Sequence, residues 1–185
     1  TFVKITPGAA SIIRIVNPEI GLKEIQIFVN NPATTVKITV TKLDGTPAVI
    51  RHEINNSVVY KYFEINKTNL KDGDIQEAKF TANVEKSYLD VNKYNKNKVA
   101  VQRYSEIDGW SKLDTAFSSE DSNYVYYNTT TPGFSIFAIT VEKEIQPTQE
   151  QATQQETTQT PQSEPTAGVS SKNKYLIWIW IAAVI

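Results

Sequence analysis

Cysteine and methionine are absent from this 185-residue chain, and histidine occurs once, as His52. Without cysteine there are no disulfides, no thiolate nucleophile and no cysteine-based metal site. One histidine also excludes a metal site built from several imidazoles. Because the chain lacks even an initiating methionine, we expect it to be a piece of a longer protein.

Positive and negative charges are nearly balanced. The chain has 19 Lys and Arg against 20 Asp and Glu, a net charge of −1 at pH 7. Proteins that bind nucleic acid need clustered positive charge to displace counterions from phosphates. We therefore expect no nucleic-acid partner. There is no glycine-rich phosphate loop and no βαβ rhythm, and we predict no cofactor.

Strand-like alternation runs from the start of the chain to about Glu144. In TVKITVTK, Val36, Ile38 and Val40 alternate with polar residues, and AKFTANV repeats this pattern. A period of two indicates a strand with one buried face. Other runs are rich in β-branched and aromatic residues: VVYKYFEI, KVAVQRY, SKLDTAF and NYVYYNTT. VEKSYLDVNKY is compatible with a helical turn.

Asn-Pro, Asp-Gly and Pro-Gly pairs separate these runs, as expected for tight turns. Short strands at this spacing predict an all-β fold, an antiparallel β-sandwich of the immunoglobulin-like type, over residues 1–144.

The last run is TTTPGFSIFAIT, from Thr129 to Thr140. Proline fixes φ and glycine permits positive φ, so Pro132, Gly133 and Phe134 predict a sharp structural corner. The strand after it is apolar on both faces, which predicts a central place in its sheet. A terminal strand held in mid-sheet would attach the following segment firmly.

Two segments of different character follow. Residues 145–174 are rich in Gln, Thr and Pro and nearly free of apolar residues, which predicts a disordered linker. Residues 175–185 are apolar and contain Trp178 and Trp180. A transmembrane helix needs about 20 such residues, so we interpret this segment as the start of a truncated C-terminal transmembrane helix. The alternative is an apolar tail that packs on the domain or reflects another processing event.

Three blocks occur in the order and spacing of a known domain: VYKYFEINKTNLKDGDIQEAKFTANVEKSYL, VAVQRYSEIDGWSKLDT and YVYYNTTTPGFSIFAI. Over about residues 12–140 the chain resembles the archaeal PGF-pre-PGF domain of cell-surface proteins. The family more often has Trp where this chain has Tyr88. No separate Pro-Gly-Phe tripeptide stands beside the apolar tail, which favours a retained helix over archaeosortase-type processing.

The resemblance implies a place in a large surface-layer-type (S-layer) or adhesin-like protein, just before a stalk and a membrane anchor. It carries no enzymatic activity or catalytic residues. We therefore expect a non-catalytic, extracellular, membrane-proximal structural module that links an upstream ectodomain to the cell membrane. The other interpretation is an adhesion module that binds a glycan or a neighbouring surface protein.

Three sequons mark possible N-glycosylation sites if the chain is exported, at Asn55, Asn66 and Asn128. Asn55 and Asn66 stand beside turn-like sequence and are expected to be more accessible. Asn128 ends a strand-like run, where access is expected to be hindered.

Aromatic residues form the other candidate site. A sugar-stacking platform could use Tyr88, Tyr94, Tyr104, Trp110 and Tyr124. Core packing is the alternative and the one we favour, because sandwiches bury such residues between their sheets. Burial of Tyr104 and Trp110 would support a structural role, whereas three or more rings exposed on one face would support binding.

Calcium binding and catalysis are weaker readings of the acidic residues. Asp72 and Asp74 in KDGD resemble the opening of a calcium loop, but the later ligands do not follow an EF-hand pattern. A solvated glycine turn is the favoured interpretation, and no metal site is predicted. His52 lies in IRHEIN without a nucleophile elbow, so no catalytic triad is indicated.

Overall fold

The computed structural model describes residues 2–143. The predicted linker at 145–174 and the predicted membrane segment at 175–185 lie outside the described residues. Within the described range no helix has the length and apolarity that crossing a bilayer requires. The strands are β1 Phe2–Ile5, β2 Ser11–Arg14, β3 Leu22–Val29, β4 Ala33–Leu43, β5 Ser57–Thr68, β6 Ile75–Glu85, β7 Val99–Ser105, β8 Gly109–Lys112, β9 Thr115–Glu120, β10 Tyr124–Thr131 and β11 Ile136–Glu142.

These strands form two sheets, and every paired neighbour is antiparallel. The first sheet has six strands in the order β1-β4-β5-β11-β7-β8, and the second has five in the order β2-β3-β6-β10-β9. The all-β prediction is therefore confirmed, and the arrangement is consistent with a β-sandwich.

The core lies between the two sheets and follows the alternation of the sequence. Ala78, Phe80, Ala82 and Val84 of β6 are all buried. Phe137 of the first sheet meets Phe80 of the second edge-to-face, with ring centroids 5.1 Å apart. Each such ring, fully buried, contributes about 1.5–3 kcal/mol through removal of apolar surface from water.

Helix α1, Lys86–Asn92, occupies the position where a helical turn was compatible with the sequence. Its buried residue Leu89 fixes it to the core. The helix ends at Lys93, which takes a left-handed conformation with φ of 56°. The amide of Tyr94 then donates to the carbonyl of Leu89 over 2.8 Å, so the last turn is closed by the chain that leaves it.

The run SKLDTAF was expected to be one strand, and this expectation is wrong. It spans the end of β8 and the start of β9, which belong to different sheets, and Leu113 and Asp114 carry the chain between them. The amide of Val101 donates to the hydroxyl of Thr115 over 3.0 Å, so a side chain replaces the backbone partner where the chain changes sheet. The run contains no Gly or Pro to mark the crossing, and the sequence pattern therefore conceals it.

Strand β11 lies in mid-sheet, as predicted, with β5 on one side and β7 on the other. Phe137, Ile139 and Val141 point into the core and are at most 1% exposed. Ala138 and Thr140, which face the opposite way, are fully buried as well. The strand is therefore enclosed on both faces and along both edges.

The connection between β4 and β5, residues 44–56, covers part of the outer face of the six-stranded sheet, over β7 and β8. The amide of Arg51 donates to the Tyr104 hydroxyl over 3.2 Å, and the indole Nε1 of Trp110 donates to the His52 carbonyl over 2.9 Å. These contacts explain why residues on the non-core face of β7, such as Ala100 and Tyr104, are buried. Sequence reasoning missed this layer because the connection has no periodic pattern.

Candidate functional site

A groove of about 510 Å³ separates the end of the β4–β5 connection from the outer face of the six-stranded sheet. We call it the Trp110 groove. The segment from His52 to Ser57 forms one wall and Trp110 of β8 belongs to the other, while Ala100 and Gln102 of β7 contribute to the lining. Its volume falls within the range of about 300–1,000 Å³ that is typical of small-ligand sites.

A glycine allows the two walls to approach each other. Gly109 has φ of +73°, a conformation that L-residues rarely adopt. A Cβ at this position would stand 3.0 Å from Cγ of the His52 ring. The Asp108-Gly109 pair, predicted only as a turn, therefore also makes room for the segment that covers the sheet.

Two tyrosine rings hold Trp110 in place. The Tyr104 ring lies 5.3 Å from the indole and the Tyr62 ring 5.9 Å from it, centroid to centroid. Together with the hydrogen bond to the His52 carbonyl, these contacts fix the orientation of the indole. His52 joins the same cluster, with its ring 6.4 Å from that of Tyr104.

Charged groups stand at one end of the groove. Lys112 donates a hydrogen bond to Glu142, and Lys98 approaches the same carboxylate at 3.9 Å. The hydrogen bond from Lys112 lowers the pKa of Glu142 below its ordinary value. A fixed indole beside charged and amide groups suits a ligand with one apolar face and several hydroxyls.

The structure does not bring the five candidate platform residues onto one surface. Tyr104 is 3% exposed, and Trp110 is half-buried beside it. Tyr88 and Tyr94 pack against the core next to Tyr60, with ring centroids of Tyr60 and Tyr88 4.5 Å apart. Tyr124 pairs with Tyr126 on β10. The candidates thus divide into three ring clusters.

The Tyr126 cluster contains a strongly bound carboxylate. Asp121 accepts hydrogen bonds from the Tyr126 hydroxyl at 2.6 Å and from the amides of Asn123 and Tyr124 at 2.8 and 2.9 Å. The hydrogen bond from Tyr126 has the largest effect, and together the three bonds lower the pKa of Asp121 to about 2. The same bond raises the pKa of Tyr126 to about 12. Asp121 closes the β9–β10 turn.

The three sequon asparagines are exposed but differ in their surroundings. Asn55 lies before β5 and lines the Trp110 groove. Asn66 lies within β5. Asn128 stands inside β10 rather than at its end, and its amide accepts from the Thr81 hydroxyl at 3.1 Å and donates to Ser118 at 3.2 Å. The amide of Asn128 therefore bridges three strands.

The predicted corner joins β10 to β11 and is held by side chains. The buried Thr131 hydroxyl donates to the Gly133 carbonyl over 2.8 Å, and the Ser135 hydroxyl donates to the Tyr104 carbonyl over 2.6 Å. The ring of Phe134 stacks on that of Phe80, with centroids 6.5 Å apart. Gly133 does not take a positive φ, so the conformational freedom invoked for it from the sequence is not used.

The two aspartates of KDGD make separate contacts. Asp72 pairs with Lys67 at 2.9 Å, and Asp74 accepts from the Asn31 amide over 2.8 Å. The segment is a 3-10 turn. Over residues 2–143 the structure contains no cluster of three or more His, Asp or Glu side chains placed to hold a metal ion.

Comparison with protein-family models, with curated proteins and with solved structures gives no match for this chain.

Proposed function

We propose that this chain is a non-catalytic, membrane-proximal structural module of an archaeal cell-surface protein. In this proposal it joins an upstream ectodomain to a stalk at residues 145–174 and to a membrane anchor that begins at residue 175. The likeness to the PGF-pre-PGF domain, the immunoglobulin-like type of the sandwich and the extracellular location are parts of the same proposal.

The position of β11 is the observation that supports the proposal most. This strand leads into the residues assigned to the stalk, and it is enclosed on both faces and paired on both edges. A pull on the chain beyond Glu142 acts along the strand axis. It would load the hydrogen bonds to β5 and β7 in shear together, so many bonds must yield at once.

The corner before β11 supports the same role. Ser135 is bonded on both sides, through its hydroxyl to Tyr104 and through its carbonyl to the amide of Ile65 at 2.9 Å. The start of β11 is therefore tied to β5 and β7 before its ladders begin. A strand secured at its start and along its length suits a module that transmits tension.

Single-molecule pulling between the two ends tests the mechanical part. We expect β1, a four-residue edge strand, to detach at lower force than β11. Release of β11 first and at low force would count against a force-bearing role.

Protease treatment of intact cells, followed by the intact mass of the released fragment, tests the location. Release by cleavage within residues 145–174 would support a domain held outside on a stalk. Complete protection in intact cells, with full cleavage after lysis, would place the domain inside and remove the proposal.

A second candidate function is an adhesion module that binds a glycan or a protein, and the Trp110 groove favours it. The groove combines an oriented indole with amide and charged groups. Trp110→Ala should abolish binding to an array of surface polysaccharides if this is correct. Equal binding by the variant and the unaltered protein would exclude the groove as the site.

A further inference from the structure

The Trp110 groove has a sequon at its edge. Asn55 lines the groove, is exposed, and is followed two residues later by Ser57. Asn56 takes a left-handed turn with φ of 57°, and its carbonyl accepts from the amide of Lys143 over 2.9 Å. The backbone beside Asn55 is therefore fixed to the end of β11, and a group attached to Asn55 would start at a defined point beside the groove.

The groove offers what a sugar requires. A pyranose ring has an apolar face that packs on an aromatic ring and hydroxyls that need donors and acceptors. Trp110 supplies an indole whose orientation is fixed by the His52 carbonyl and by two tyrosine rings. Gln102, Lys112 and Glu142 supply polar groups along the same lining.

We propose that an N-linked glycan on Asn55 folds back into the Trp110 groove, with its first sugar residues against the indole. There it holds the β4–β5 connection against the sheet. This inference rests on the proposed extracellular function, because only an exported chain would receive such a glycan.

The other two sequons differ in this respect. Neither Asn66 nor Asn128 lines the Trp110 groove. Asn128 already uses its amide to bridge neighbouring strands. Asn66 is exposed on β5, from which a glycan would extend into solvent. Asn66 therefore provides the matched control.

The test uses the full chain made in a host that N-glycosylates exported proteins, and the same chain made without glycosylation. Glycopeptide mass spectrometry first determines which sequons are occupied. Asn55→Gln and Asn66→Gln are then compared by thermal unfolding and by hydrogen exchange of residues 48–57 and 109–112.

In the glycosylated protein, we expect Asn55→Gln to lower Tm by about 2–4 °C, the shift that a loss of about 1 kcal/mol gives in a domain of this size. Exchange in both segments should become faster. Asn66→Gln should change neither measurement. Without glycosylation the two variants should behave alike. Trp110→Leu should remove the difference between occupied and unoccupied Asn55, even if it lowers the stability of both.

An occupied Asn55 whose loss has no more effect than that of Asn66 would overturn the groove contact alone. An unmodified Asn55 beside an occupied Asn66 or Asn128 would also overturn this inference while leaving the surface function in place. If the domain is protected inside intact cells and all three sequons are unmodified, the proposed function fails together with it.

Discussion

The hydroxyl of Tyr104 accepts a 3.2 Å hydrogen bond from the backbone amide of Arg51. The two residues are 53 positions apart, and their contact fixes the β4–β5 connection to the face of β7. The same hydroxyl lies 3.4 Å from the Val49 carbonyl, to which it donates. One buried phenol thus holds a segment without regular secondary structure at two points.

Tyr104→Phe should therefore release the β4–β5 connection while leaving the sandwich folded. We expect the free energy of unfolding to fall by about 1 kcal/mol, the usual contribution of an intramolecular hydrogen bond. Hydrogen exchange at residues 48–52 should become faster. The control is Tyr62→Phe, because the Tyr62 hydroxyl accepts only an exposed bond from Thr46 at 3.3 Å. Equal exchange in the two variants would show that Tyr104 does not hold the segment.

Gly109→Ala should be destabilising because of both its conformation and its neighbour. Positive φ at a residue with a Cβ costs about 1–3 kcal/mol, and the new Cβ would press on the His52 ring at 3.0 Å. Gly133→Ala is the control, since its Cβ would meet the Asp72 carboxylate at an ordinary 3.8 Å. Chemical denaturation measures the free energy of unfolding of both variants. A destabilisation by Gly133→Ala as large as that by Gly109→Ala would show that neither the positive φ nor the His52 ring makes position 109 special.

Phe137→Ala should remove the centre of the core. The ring is fully buried, and its centroid lies 5.3 Å from that of Phe63 and 5.1 Å from that of Phe80. Truncation of a buried phenylalanine costs about 3–5 kcal/mol, which includes the cavity left behind. Phe117→Ala, at a ring that is 49% exposed, should cost clearly less. Urea unfolding of the two variants compares them, and similar losses would be inconsistent with this core.

Asp121 should make stability depend on acid pH. Its pKa in the folded state is about 2, below the ordinary 3.8. The folded state therefore favours the ionised form, and this stabilisation is complete above about pH 4 and lost as pH falls toward about 2. Asp121→Asn should lower Tm relative to the unaltered chain at about pH 6 but not at about pH 2. Surface Asp90→Asn is the control, and an Asp121→Asn difference independent of pH would contradict the prediction.

The partner of Asp121 provides an alkaline test. Tyr126 has a pKa raised to about 12 by its hydrogen bond to Asp121. Because the folded state favours the neutral phenol, this contribution is present below about pH 10 and is lost as pH rises through about 12. Near-ultraviolet titration of Asp121→Asn should show one tyrosine ionising at lower pH than in the unaltered chain. Identical titration curves would exclude the bond.

Several features of the fold could be predicted from the sequence because they depend on local pattern. Alternation in AKFTANV identified the core face of β6, and apolar residues on both faces of the last strand predicted its central place. These inferences succeed because a strand has a period of two, and burial on one or both faces is therefore visible in the residue types.

The candidate site depended on contacts that no local pattern reveals. The sequence favoured the core for Tyr104 and Trp110, with an exposed platform as the other interpretation, and their place was decided by a connection more than 50 residues earlier in the chain. The crossing at Leu113 was hidden as well, because no Gly or Pro marks it in SKLDTAF.

The sequence by itself therefore determined the all-β class, the core faces of β4 and β6 and the central place of the last strand, since each is a consequence of residue order and burial. The tertiary structure alone decided how the strands divide between two sheets and that residues 44–56 cover part of one of them. It also decided that Asn55 and Trp110 line the same groove. These features arise from packing between distant segments, whose energies depend on shape and on hydrogen bonds formed only when the chain is folded.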